Sequence, residues 1–66
     1  MLIQKVGETA GLIWLALDSG GPLKLTVLKK QLKANDVTLH MALGWLARED
    51  KIEMSTSGRT FLVQLK

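Results

Sequence analysis

The sequence predicts an α+β domain of three helices and a small antiparallel β-sheet, in the order α-β-α-α-β-β. Three observations carry that expectation. Apolar residues recur at three- and four-residue steps through the chain up to Asp50. Beyond Asp50 the period switches to alternation. Clusters of Gly, Pro, Asn and Asp divide the periodic stretches.

In the first stretch Leu2, Val6, Ala10, Ile13 and Leu17 share one face, with Gln4, Lys5, Glu8 and Asp18 mostly elsewhere. This is one amphipathic helix of about 17 residues. Ser19-Gly20-Gly21-Pro22 ends it, because glycine accepts a left-handed cap and proline cannot continue a helix. Leu23-Lys24-Leu25 alternates and is long enough only for an edge strand or an extended linker. Thr26 is then the expected N-cap of a helix over Val27 to Lys33, with Leu28 and Leu32 on one face.

Ala34-Asn35-Asp36 breaks that helix, and Asp36 is the expected cap of a third, running to about Asp50. Its buried stripe is Leu39, Leu43 and Leu46, with Ala42 beside them. Two short helices joined by so short a turn form a helix-turn-helix. The last stretch reads as a hairpin over 52–65. With Ser57-Gly58 as turn residues, Met54 falls opposite Phe61 and Ile52 opposite Val63, which makes one face wholly apolar.

This element order, with the skeleton Leu25-Thr26-Val27-Leu28, Leu32, Leu39, Leu43, Leu46 and Ile52, resembles the winged helix-turn-helix superfamily. The segments Gly7-Glu8-Thr9-Ala10-Gly11 and Ala42-Leu43-Gly44-Trp45-Leu46-Ala47-Arg48-Glu49-Asp50-Lys51-Ile52 are similar to a family of small stand-alone winged-helix domains of bacteria and archaea. The resemblance covers nearly the whole chain and implies a DNA-binding, transcription-related module. Many winged helices carry glycine where this chain has Asp50, so a residue less tolerant of positive φ must make that corner.

Sixty-six residues leave room for one small domain, 1–66, with one core. A chain of this size usually needs a disulfide, a metal or a partner; with no cysteine and one histidine, helix packing and self-association remain. The longest apolar run, Gly11 to Leu17, is far short of a membrane span, and the Met1 end lacks a basic flank and cleavage site. A cytoplasmic protein with no membrane partner is expected.

Nine Lys and Arg against six Asp and Glu give a net charge of +3, which permits attraction to nucleic acid. If the third helix enters the major groove, its outward positions are Thr38, His40, Met41, Gly44, Trp45 and Arg48. Thr38, His40 and Arg48 are the candidate base readers. Lys29, Lys30 and Lys33 on the second helix and Arg59 at the hairpin tip are the candidate phosphate contacts, Lys29 and Lys33 standing one turn apart. Each lysine alone reads equally well as part of a solvated helix face.

Self-association is the other expectation, and a mean hydropathy of +0.17 suits a homodimer. Leu12 and Leu15 point away from the core stripe toward Lys5, Glu8 and Ser19. Gly7 and Gly11 lie four apart, with Trp14 continuing their face, which suits packing against the chain's own wing or close approach of a second backbone. Trp45 is expected as a lid over the hairpin, with an interface anchor as its other reading. Leu12, Trp14, Leu15, Met41 and Trp45 are thus the candidate interface.

Catalysis, cofactors and metal have no footing. His40 is the single histidine, no cysteine can serve as nucleophile, and Glu49 and Asp50 point about 100° apart on a helix. Gly20-Gly21-Pro22 lacks the pattern that cradles phosphates. No small-molecule substrate is evident.

Overall fold

A computed structural model describes residues 2–66, apart from the side chains of residues 2 and 57. The elements are α1 (Leu2–Gly20), β1 (Leu23–Lys24), α2 (Leu25–Leu32), α3 (Asp36–Arg48), β2 (Ile52–Ser57) and β3 (Thr60–Leu65). The order matches the sequence expectation. The sheet is antiparallel with strand order β1-β3-β2, so the short β1 pairs at the outer edge of β3 through Leu23 with Val63 and Lys24 with Leu62.

The core takes Val6, Ala10, Ile13 and Leu17 from α1, Leu28 from α2, Leu39, Ala42, Leu43 and Leu46 from α3, and Ile52 and Val63 from the sheet. These are the positions that share a face at helical or alternating period, and their burial is the main stabilising term. Leu2, also expected on this stripe, has its side chain outside the described residues.

α1 ends as expected: Gly21 takes φ +73° and its N–H donates to the Leu17 carbonyl at 2.8 Å. The other two helices start differently. α2 begins at Leu25 with Lys24 in the cap position and no side-chain cap, so Thr26 lies inside the first turn and caps nothing. α3 is capped by Asn35, whose side-chain oxygen accepts the Val37 N–H at 2.8 Å, leaving Asp36 as the acidic residue of the first turn.

The hairpin turn is Gly58-Arg59 rather than Ser57-Gly58. Ser57 pairs with Thr60, Met54 with Val63 and Ile52 with Leu65, a register displaced by two residues from the expected one. Positive φ at Gly58 alone, +64°, is the pattern of a type II′ turn, whose twist suits a hairpin. Because the displacement is even, each side chain keeps its face. That face is not wholly apolar, since Thr56 stands at its outer end opposite Phe61. Met54 and Phe61, on this face, are exposed.

The corner after α3 is a Schellman motif: the Lys51 N–H donates to the Leu46 carbonyl (3.0 Å) and the Asp50 N–H to the Ala47 carbonyl (3.1 Å). Asp50 sits at φ +60°, as the resemblance required, and its carboxylate pairs with the Lys66 ammonium. Asp50→Gly and Asp50→Ala both delete that pair but differ in tolerance of positive φ. The glycine variant is therefore expected to be more stable by about 1 kcal/mol, a melting temperature roughly 4–8 °C higher. Equal melting of the two variants would remove backbone strain as a feature of this corner.

Candidate nucleic-acid interface

A groove of about 380 Å³ opens between the N-terminal ends of α2 and α3 and the tip of the hairpin. Its walls carry Thr26 and Lys29 from α2, Asp36 and His40 from α3, and Arg59, Thr60 and Phe61 from the hairpin. Three of the candidate residues, Lys29, His40 and Arg59, thus meet although 30 positions separate the first from the last.

The α2 end of this groove carries no acidic residue in its first turn and no side-chain cap, so the partial positive charge of this helix end is not offset by a side chain of that turn. The α3 end is occupied. Lys29 Nζ lies 2.7 Å from Asp36 Oδ1, and that hydrogen bond, with the attraction of the ammonium, holds the Asp36 carboxyl below its ordinary value. The resulting stabilisation is present above the usual carboxylate pKa and is lost as pH falls through the lowered one. The pair fixes where the Lys29 ammonium waits, but it also puts one negative charge beside two positive ones.

His40 Nδ1 lies 2.7 Å from the Asp36 backbone oxygen, so Nδ1 carries the proton and donates, leaving Nε2 free to face a ligand. Arg48 stands two turns further along α3, about 12 Å away along the axis, in a second groove with Ile3, Met41, Gly44 and Trp45. His40 and Arg48 both belong to the exposed side of the helix, with Gly44 midway between them and Val37 one turn before His40.

Thr38 does not. It is 8% exposed and faces α1, beside Thr9 and Leu12. Counting the stripe as Leu39, Leu43 and Leu46 centres the buried arc too far round; Thr38 and Ala42, four apart, extend it on the α1 side. Beyond Asp36, the residues of α3 that remain outward are Val37, His40, Met41, Gly44, Trp45, Ala47 and Arg48, and Val37, at 62% exposed, is one that periodicity missed.

Lys33 also departs from expectation. It lies past the end of α2 at φ +51°, and lines a depression on the α1 side with Lys5, Thr9 and Asn35. It is not on a common ridge with Lys29. Lys30 is exposed on α2. Thr26, Thr60 and Phe61 join the groove without any signal in the sequence beyond their nearness to turns.

The candidate interface residues Leu12, Trp14, Leu15, Met41 and Trp45 are all exposed. Trp45 is not a lid over the hairpin: at 44% exposed it lies between α1 and α3, lining grooves whose opposite wall is α1. Nor do Gly7 and Gly11 pack against the wing, for a Cβ built on either meets nothing within 4 Å.

A helix-turn-helix followed by a twisted hairpin that flanks the second of its helices defines the winged-helix class. The chain belongs to the winged helix-turn-helix domain family DUF2582, which it matches over residues 1–65. It is also similar to the uncharacterised protein MJ1608 of Methanocaldococcus jannaschii, at 42% identity over 65 residues, covering 94% of this chain and 91% of that one. Among the described residues no helix is long and apolar enough to cross a membrane, and no group of three or more acidic, histidine or cysteine side chains could hold a metal.

Proposed function

We propose that this chain is a non-enzymatic, transcription-related DNA-binding module, acting in the cytoplasm as a homodimer with residues 1–66 as one domain. The observation that supports this best is the groove in which Lys29, His40, Arg59 and the uncapped end of α2 converge from three separate elements. Phosphates are held by backbone N–H groups at helix ends, hydroxyls and basic side chains, all of which this groove supplies. In this reading α3 docks in the major groove, the wing lies along the backbone, and Lys29, Lys30 and Arg59 contact phosphates, with Lys33 at a more distant one. His40 and Arg48 face the bases. Met41 and Gly44 between them, and Val37 just before, offer no hydrogen-bonding side chain, so duplex affinity rests on charge and shape more than on base sequence.

The test is an amide-shift titration of the labelled protein with a random-sequence duplex at low and at physiological salt. Shifts are expected at Thr26, Lys29, His40, Arg48 and Arg59, fading as salt rises, with Thr38 little affected. A spectrum unchanged by duplex at low salt would overturn the reading. Weight would then pass to the second reading, a protein-interaction module, which is favoured by the exposed Leu12, Trp14, Leu15, Met41 and Trp45.

A further inference from the structure

We propose that a second copy of this chain docks on the outer face of α1, the two α1 helices crossing at Gly7 and Gly11 with Trp45 of each protomer packed along the other's α1. This rests on the homodimer in the reading above and specifies its surface; it does not rest on DNA docking.

A groove of about 810 Å³ runs along this face. Gly7, Gly11, Trp14 and Leu15 of α1 form one side of it and Trp45 of α3 the other. Leu15 is 59% exposed, and Leu12, Trp14 and Trp45 are exposed beside it. Glycine inside a helix is weaker than alanine, and nothing in the chain's own packing requires it at either position, since an added Cβ meets no atom within 4 Å. Two such glycines one turn apart, between tryptophans, leave a track on which another helix backbone can lie.

Charge and size point to a copy of the same chain. A two-fold interface must be complementary to itself. The lining of this groove carries one acid and one base, Glu8 on α1 and Lys51 at the start of the hairpin, and among the described residues neither makes an ion pair within the chain; elsewhere on the exposed side of α1, Lys5 and Asp18 also balance. A parallel two-fold crossing, with the axis running along α1, sets Glu8 of each protomer against Lys51 of the other, whereas an antiparallel one would set like charges together. A nucleic acid would call for an excess of positive charge here, and a lipid surface for a polar flank rich in Lys and Arg. A standard interface takes about 800 Å² from each partner. With 19 residues α1 is about 28 Å long, and with a second helix beside it the face is about 20 Å wide, roughly 560 Å² in projection, so the exposed Trp14, Leu15 and Trp45 standing out from it must supply the remainder. His40 lies about 140° around α3 from Trp45, so the groove proposed for DNA stays open in the dimer.

The experiment is sedimentation equilibrium of the full chain and of Gly7→Leu/Gly11→Leu, Glu8→Lys, Lys51→Glu and the Glu8→Lys/Lys51→Glu double variant. The wild type is expected to dimerise at micromolar concentration. The leucine double variant should dissociate at least about tenfold more readily while its helix content is kept or raised, which separates a blocked interface from a broken fold. Each single charge reversal should weaken the dimer, and the double reversal should restore it. A wild-type monomer at high micromolar concentration would overturn both the homodimer and this surface. A dimer whose constant is unmoved by the leucines, or a double reversal no better than either single one, would overturn this surface alone. Duplex binding by the same samples reports separately on the DNA reading.

Discussion

Leu39→Ala is expected to leave the chain predominantly unfolded at room temperature. Leu39 is 0% exposed, one turn ahead of Leu43 on the face of α3 that meets the rest of the core. Truncating a fully buried leucine costs about 2–5 kcal/mol, through lost transfer free energy and the cavity left behind. A domain of this length without disulfide or metal rarely has more than about 3–5 kcal/mol in total. The loss is therefore comparable with the whole margin, and circular-dichroism melting should show little or no cooperative transition. Val37→Ala, two residues away on the outer arc, is the control, expected to shift stability by no more than about 0.5 kcal/mol. If the two variants melt alike, the assignment of inner and outer faces on α3 is wrong.

Lys29→Glu with Arg59→Glu is expected to lower duplex affinity at low salt by roughly 10²-fold and to reduce the salt slope of binding by about 2, one for each phosphate contact removed. The two residues face one groove from α2 and from the wing tip, so their reversal turns its balance from two positive charges against Asp36 to three negative ones. Asp36→Asn should act oppositely, removing the one acid there and releasing Lys29. Because reversal at Lys29 also breaks the Lys29–Asp36 pair, Arg59→Glu alone, at the exposed tip, shows whether the loss comes from docking or from disturbance of α2. Unchanged affinity and slope in the double variant would mean that DNA, if bound, lies elsewhere.

How much of this could be read from the chain depended on the range of the physics involved. Helical and alternating periods follow from backbone geometry alone, so α1, α3, the hairpin and nearly all the buried leucines, isoleucines and valines are legible in the order of residues. End positions are less so. Asn35 and Asp36 are both good caps and adjacent, and which one is used depends on where the turn from α2 delivers the chain. Thr38 reads as outward because a polar residue is left out of an apolar stripe, although it stands one turn before Ala42 on the buried side of α3. The hairpin register slipped by two because alternation distinguishes odd shifts from none but not even ones, and turn preference had to choose between Ser57-Gly58 and Gly58-Arg59.

The sequence by itself determined the class of fold, most of the buried faces and the surplus of positive charge, while the need for positive φ at Asp50 follows from the resemblance to winged helices. Only the tertiary structure decided which of those charges share a groove, that Lys33 leaves Lys29's ridge, that Trp45 stands against α1, and that no described residue occupies the space beside Gly7 and Gly11. The physical reason is range. Periodicity is a local property of a regular backbone, whereas a groove joins residues brought together by packing, and packing depends on every crossing and register at once.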